Sequence, residues 1–471
     1  MIDRVFITLL YIYACASSCN LTFGGDIVRY IMWPAMVMGC ILIVYRVVKY
    51  KEYKKMPALF ATIGMLASIS LSTIINRQYN LKENILYCAY WFIYFIVLYN
   101  VKSGTTIDKV KKDFEYLGIL ILVSINLSVI IGFVQMADGY SRYLAHPESG
   151  FGYWQGFAIG RLWGLYLNPN RGAISIALAV AIVLYFIVKF KSRVVKAIGI
   201  IDIVAMNVYI ALSDSRSGAV SFGVLLGIYV FFLLLCRLKD KEKCRAVNII
   251  GVIIISTVLM VCGYIVPRQT KDGHNFIINK IVEYRVSNMD PDNMSEEEIK
   301  EQLQIQNLEI ERGYDLSTNV SNNRFVIWES GLEIFSDSPK NIIIGTSFGG
   351  FTPYAEQNLP KTAIVSSFGF SYKTLENDII NLMVSQGVFG LAMLIWFLVC
   401  VFKTLVKNIF KVKKEYRNMV FAMLALVFSY ASSALFGSAM FYQFSNNTVV
   451  FWVILGYLMY ILKQSGEEYE D

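Results

Sequence analysis

Two charged residues, Arg324 and Glu376, stand where apolar segments of the chain begin. Arg324 follows a pair of asparagines that suit a helix N-cap, and an apolar face is predicted behind it at helical spacing: Phe325, Trp328, Leu332 and Phe335. An arginine in a first turn adds its guanidinium to the free backbone N–H groups and the positive end of the helix dipole, so that a phosphate would be held from two sides. Glu376 opens the next long apolar segment. The alternatives are a solvated helix charge for Arg324 and a first-turn acid favoured by the helix dipole for Glu376.

A second polar element surrounds Asn168, Pro169 and Asn170, with Arg161 and Arg171 on either side. The proline is expected to break a helix there and to leave backbone groups free to face a polar cavity. Two arginines at such a turn favour an anion site. The alternative is a re-entrant turn whose backbone groups are satisfied by its own asparagines.

Arg216 lies between serines at the predicted start of a helix, in the stretch Leu212 to Gly218. Backbone N–H groups at a helix start form a nest for anions, which makes Arg216 a further candidate for phosphate binding. Asp214 could instead neutralise Arg216 in a structural ion pair.

The composition is that of a membrane protein. The 471 residues are 56% hydrophobic and 17% charged, with a mean hydropathy of +0.51. We predict an all-α polytopic membrane protein with about twelve transmembrane helices and one long extracytoplasmic loop that contains short amphipathic helices. The predicted spans are 5–23, 27–48, 56–75, 84–101, 114–136, 162–188, 194–213, 217–236, 246–266, 375–402, 418–438 and 446–462.

Lysine and arginine are distributed unevenly among the connections. With the N-terminus in the cytoplasm, the cytoplasmic connections carry 26 basic residues and the short outer connections carry seven. Basic short loops are retained in the cytoplasm, so both termini are predicted to be cytoplasmic. The net charge of +8 therefore reflects topology, and no nucleic-acid partner is predicted.

Three parts follow from this topology: an N-terminal bundle of nine helices (1–266), an extracytoplasmic loop domain (267–373), and three C-terminal helices with a short cytoplasmic tail (374–471). In the loop, 295–310 has a capping-box pattern and predicts an amphipathic helix. Pro339, Gly345, Gly349 and Gly350 predict an irregular stretch like a lid. Only two histidines occur and no Cys/His cluster has metal-ligand spacing, so neither a metal site nor a cofactor is predicted.

The motifs from Arg324 onward resemble the superfamily of O-antigen ligases and O-antigen polymerases. The resemblance rests on Arg-x3-Trp, a Ser-Pro step, Ile-x-Gly, and Asn377 followed by an apolar run with Gly387 and Gly390. Gly164 to Asn170 is similar to a Gly-x-Phe-x-Asn-Pro-Asn element of the family, and Ser215 to Gly218 to a Ser-Arg-small-small element. In the ligases a histidine usually occupies the position of Glu376, and a glutamate there is more in keeping with the polymerases.

The resemblance implies an activity. It implies a metal-independent glycosyltransferase of the cytoplasmic membrane that joins polysaccharide repeat units, of O-antigen or capsule, on the outer face. The donor would be a polyprenyl-diphosphate-linked oligosaccharide in membrane lipid, with chain-length regulator and flippase proteins as candidate partners. Glu376 would act as the base and Arg324 on the leaving diphosphate. Substrate binding would fall to Arg161, Asn168, Asn170, Arg171, Arg216 and Asn377.

Two other functions compete with this prediction. An O-antigen ligase would share the fold and the donor but transfer the glycan to lipid A core. A flippase for lipid-linked oligosaccharides would also need cationic residues, but distributed through a central cavity between two halves. The arginines of this chain lie at the outer ends of the predicted helices, and its two halves show no repeat, which argues against a flippase.

Overall fold

A computed structural model describes residues 2–145, 152–243, 245–270, 280, 324–366 and 373–470. Helices make up most of it. The helices before the sheet are α1 Ile2–Ser18, α2 Asp26–Val48, α3 Leu59–Ile75, α4 Leu81–Phe92 with its π-helical continuation Ile93–Leu98, and α5 Ile107–Ala137. The helices that follow are α6 Pro169–Lys189, α7 Arg193–Leu212, α8 Arg216–Asp240, α9 Ala246–Gln269, α10 Arg324–Ser336, α11 Pro339–Ile344, α12 Phe351–Asn358, α13 Ala363–Ser366, α14 Asp378–Asn408, α15 Lys414–Ser433 and α16 Asn446–Glu470.

Ten of the described helices are long and apolar enough to cross a membrane. Two shorter helices, α1 and α3, have 17 residues each and coincide with two further predicted spans. The prediction of an all-α polytopic membrane protein is therefore confirmed.

A small antiparallel sheet interrupts the helices between α5 and α6. It consists of β1 Ser141–Ala145, β2 Gly152–Ala158 and β3 Arg161–Gly164, in the order β1-β2-β3. The predicted spans 114–136 and 162–188 leave only a connection here, and the predicted start of the second span at 162 is wrong, since α6 begins at Pro169. Asn20 anchors the sheet, because its Nδ2 donates to the Gly164 carbonyl at 2.8 Å. This contact joins residues 144 positions apart, which local periodicity does not reveal.

The core of the bundle is built around α16. In its most apolar stretch 83% of the residues are buried, against 17% in α2 and in α9. Helices α6 and α15 pack beside it and are also largely buried.

Small residues let the helices approach closely. A Cβ atom on Gly223 of α8 would lie 2.3 Å from the carbonyl oxygen of Met260 in α9. At the start of α8, a Cβ on Gly218 would lie 2.4 Å from the Cβ of Ala173 in α6. Such small-residue contacts are typical of helix packing in membranes. The contact of Gly218 with Ala173 brings the first turns of α6 and α8 together.

Helix α14 is broken at Gly387, and residues 343–348 are inserted at the break; we call these residues the wedge. Gly387 has φ 65° and ψ −165°. The Val384 and Ser385 carbonyls accept hydrogen bonds of 2.9 Å from the backbone N–H groups of Thr346 and Ser347. Thr346, Ser347 and Phe348 are buried. The prediction of a lid-like stretch is therefore wrong, because this part of the chain supplies partners for backbone groups that the broken helix cannot satisfy itself.

The amphipathic helix predicted for 295–310 lies outside the described residues. The division of the chain at 266 and 373 stays a prediction. Within the described part of residues 267–373, α10 and α11 pack against α14.

Candidate active site

The start of α6 is shaped by the Asn168-Pro169-Asn170 sequence. The Asn168 side chain caps the helix by accepting the backbone N–H of Asn170 at 2.8 Å, and Pro169 occupies the first turn. A proline fits this position because its missing N–H has no partner in a first turn anyway. The expectation that Pro169 breaks a helix is therefore wrong: it begins one. Arg171 is consequently a first-turn residue.

Arg161, at the start of β3, is held by the protein itself. Its Nε donates to the Ser213 carbonyl at 2.7 Å, and its Nη2 donates to Asn170 Oδ1 at 2.7 Å. The guanidinium thus ties the sheet to the end of α7 and the start of α6. Arg161, Asn168 and Asn170 all have these structural roles, and their contact with a substrate stays a prediction.

Arg171 faces the loop between α15 and α16. In the orientation of the Gln443 amide that satisfies both groups, its oxygen contacts all three guanidinium nitrogens of Arg171, with Nη2 nearest and Nε and Nη1 at 2.7 Å each, and its nitrogen donates to the Ser438 carbonyl. Arg171 keeps an exposed surface as well. Gln443 is not among the predicted site residues, because only the tertiary structure brings it to Arg171.

Glu376 lies in a strained turn two residues before α14. Its φ of 51° is in the left-handed region, which L-residues other than asparagine and aspartate seldom adopt. The alternative interpretation of Glu376 as a first-turn acid is therefore wrong, since the helix begins at Asp378. Asn377 is the N-cap: its Oδ1 accepts the backbone N–H groups of Ile379 and Ile380 at 2.9 and 3.1 Å.

The side-chain amide of Asn377 therefore forms its hydrogen bonds within the protein. Its Nδ2 also donates to the Leu435 carbonyl at 3.1 Å, so both ends of the amide have protein partners. This geometry gives Asn377 a structural role at the turn, and its contact with a substrate stays a prediction. The positive φ of Glu376, the residue before it, is a further mark of a functional site, because non-glycine residues at positive φ concentrate at such sites, where the surrounding contacts maintain the strain.

The electrostatic surroundings of Glu376 favour a proton acceptor. Burial raises the pKa of the half-buried Glu376 carboxyl above its usual range, and the positive charges of Arg324 and Arg171 oppose this shift in part. We call these three residues the carboxylate–arginine cluster. They are brought together from three helix starts and lie up to 205 positions apart in the chain.

Arg324 is the first described residue of α10, in agreement with the predicted first-turn position. The buried face of this helix is not the predicted one, however. Phe325 and Leu332 are 66% and 49% exposed, and the buried residues are Ile327, Ser330, Gly331 and Ile334. A Cβ on Gly331 would lie 3.0 Å from Leu375 Cδ1, so the small residues let α10 approach the Glu376 turn.

Arg216 begins α8, as predicted. Ser215 caps the helix by accepting the backbone N–H of Gly218 at 3.0 Å. Arg216 lines a shallow, open recess that Asp214 and Arg268 also line. Because Gly218 packs on Ala173, this recess lies beside the start of α6.

Several polar residues of the site were not predicted from the sequence: Thr374, Asp378, Asn381, Ser438 and Gln443. Asp378 and Asn381 could have been found, because polar residues one turn apart in an apolar segment mark an enclosed polar site. Thr374, Ser438 and Gln443 lie in connections and carry no such signal.

No curated protein sequence matches this chain. A family model described as O-antigen ligase matches residues 203–395. The matched segment contains Arg216, Arg324 and Glu376, whereas Arg161 and Arg171 precede it. The match supports a membrane glycosyltransferase of the O-antigen ligase or polymerase type, and it confirms the resemblance of the chain to that superfamily.

Proposed function

We propose that this protein is a polysaccharide repeat-unit polymerase. It transfers a glycan from a polyprenyl-diphosphate-linked donor to a sugar hydroxyl of a second lipid-linked unit. The observation that carries the proposal is the carboxylate–arginine cluster, in which one carboxyl with a raised pKa lies within electrostatic reach of two guanidinium groups.

Each residue of the cluster has a task in such a transfer. The acceptor hydroxyl loses its proton to the Glu376 carboxylate as its oxygen attacks the anomeric carbon. The bond from that carbon to the diphosphate oxygen breaks, and polyprenyl diphosphate leaves with the bonding electrons. Arg324 and Arg171 stabilise the negative charge that develops on the departing diphosphate. Arg216 is a further diphosphate ligand in this proposal.

The proposed site is the outer face of the cytoplasmic membrane, with both termini in the cytoplasm. The excess of basic residues in the predicted cytoplasmic connections supports this orientation. The donor, the acceptor and the surrounding lipid would meet where α6, α8, α10 and α14 begin. Chain-length regulator and flippase proteins are the proposed protein partners.

A ligase is the second candidate, because the matching family model carries that description. The glutamate at position 376 favours the polymerase, since the resembling ligases usually have histidine there. The two functions differ in the acceptor, which is lipid A core for the ligase and a lipid-linked unit for the polymerase.

The test is chain extension by purified protein in liposomes that contain polyprenyl-diphosphate-linked repeat units, with or without lipid A core. We expect wild type to form polymer without lipid A core, and Glu376→Gln to bind the donor but form none, because an amide cannot accept the proton. Glu333→Gln is the matched control, since Glu333 is an exposed glutamate of α10.

Two outcomes would contradict the proposal. Polymer of normal length from Glu376→Gln would remove Glu376 from the mechanism. Transfer that occurs only when lipid A core is present would identify a ligase instead.

A further inference from the structure

A network of buried polar contacts surrounds the turn that carries Glu376. Asp378, the first residue of α14, is fully buried. Its Oδ2 accepts the backbone N–H groups of Ala439 and Met440 at 2.9 and 2.6 Å. Its Oδ1 is also inaccessible to solvent and has no hydrogen-bond partner among the described residues. One oxygen of this carboxyl thus fastens the loop between α15 and α16 to the start of α14.

Asn381 lies one helical turn further on and extends the same connection. Its Nδ2 donates to Ser438 Oγ at 2.6 Å, and its Oδ1 accepts the backbone N–H of Leu375 at 2.9 Å. Ser438 Oγ is hydrogen-bonded to Thr374 Oγ1 as well. Residues three apart on a helix share a face, so Asp378 and Asn381 attach the loop between α15 and α16 to the same face of α14.

The loop between α15 and α16 connects two members of the carboxylate–arginine cluster, the Glu376 turn and Arg171. At one end, Ala439 and Met440 are fixed to Asp378; at the other, Gln443 lies against the guanidinium of Arg171. Glu376 itself has a backbone conformation that glutamate seldom adopts, and its N–H donates to Thr374 Oγ1 at 3.3 Å. A change in the loop would therefore alter both the turn and the distance from Glu376 to Arg171.

We propose that Asp378 is a positioning residue: by clamping residues 438–443 to the start of α14, it sets the Glu376 carboxyl against Arg171. The inference rests on the proposed function of Glu376 as the base. Asp378 itself touches neither substrate nor the reacting atoms in this role. What matters is an acceptor oxygen at the position of Oδ2.

Asparagine and alanine at position 378 distinguish positioning from proton transfer. The amide oxygen introduced by Asp378→Asn can accept the same two N–H groups, whereas Asp378→Ala leaves them without an acceptor. In reconstituted chain extension we expect Asp378→Asn to keep kcat within about threefold of wild type. Asp378→Ala should lower kcat about a hundredfold with little change in the KM for the donor, because a small displacement of a catalytic group has an effect of this size.

Ser438→Ala provides a milder variant should Asp378→Ala not fold. It removes the hydroxyl through which the loop is bonded to Asn381 and Thr374, and it leaves the Asp378 contacts and the direct 3.4 Å contact of Asn381 Nδ2 with Thr374 Oγ1 in place. We expect it to lower kcat about tenfold, again with little change in the KM for the donor. Asp202→Asn is the control, since Asp202 is a carboxyl of α7 whose described partner is Asn126 of α5, at 3.4 Å.

The outcomes separate the two proposals. Loss of activity in Asp378→Asn as severe as in Glu376→Gln would overturn the clamp, because it would mean that the carboxyl acts through its charge or its proton. Wild-type kcat in both Asp378→Ala and Ser438→Ala would overturn the clamp too. If Asp378→Ala does not fold, wild-type kcat in Ser438→Ala alone has the same consequence. Full activity of Glu376→Gln would instead refute the proposed function.

Discussion

Gly387, at the break in α14, permits a quantitative test of how the wedge is held. A Cβ atom at this position would lie 2.3 Å from the carbonyl carbon of Ile343 and 2.5 Å from the nitrogen of Ile344. Both contacts are to backbone, which cannot rotate away as a side chain can. The φ of 65° with ψ of −165° is also a combination that is essentially restricted to glycine.

The expected cost of Gly387→Ala follows from these two effects. A residue forced into such a backbone conformation costs about 1–3 kcal/mol, and overpacking of a tight contact costs a further ~1–3 kcal/mol. The wedge cannot move aside without losing the two 2.9 Å bonds from Thr346 and Ser347 to α14. We therefore expect a destabilisation on the order of 4 kcal/mol, which for a chain of this size lowers Tm by roughly 5 °C.

Gly251→Ala is the matched control. Gly251 lies in α9, which is also long and apolar enough to cross a membrane, and no atom of another described segment lies within 4 Å of a Cβ built there. This substitution should leave Tm unchanged or raise it slightly, because alanine is favoured over glycine in a helix by about 1 kcal/mol. The assay is thermal unfolding of the purified variants in one detergent. Equal Tm values for Gly387→Ala and wild type would refute the insertion of the wedge at the break.

Two further predictions concern the charges of the cluster. Burial raises the pKa of Glu376 and Arg324 lowers it, so Arg324→Ala should raise this pKa further and move the acid limb of the pH–rate profile of chain extension to higher pH. Arg324→Lys should leave that limb nearly in place but still reduce kcat, because lysine keeps the charge and loses the planar fork; unchanged kcat in both variants would return Arg324 to a solvated helix position. A carboxyl whose pKa is raised on folding destabilises the protein when ionised, so this penalty is absent below its unfolded pKa of about 4.3 and grows as the pH rises through the folded value. Glu376→Gln should therefore have a higher Tm than wild type at pH 8 and an equal Tm at pH 4, and a lower Tm at pH 8 would contradict the burial of this carboxyl.

The sequence by itself determined the membrane architecture. Whether an apolar segment can span a membrane depends on its own length and composition, so helices such as α5, α9 and α16 could be predicted from local sequence. The positions of Arg216 and Arg324 at helix starts could be predicted for the same reason, since the capping and periodicity signals lie within a few residues of them.

The tertiary structure decided which groups meet and how they are oriented. The contact of Arg171 with Gln443, the clamp on Asp378 and the wedge at Gly387 all join residues far apart in the chain. The face that α10 buries was predicted wrongly because hydrophobicity alone marked its large apolar residues, whereas the helix approaches the Glu376 turn through the small residues Ser330 and Gly331. The raised pKa of Glu376 likewise depends on desolvation by neighbouring segments, and the sequence around position 376 contains no information on that.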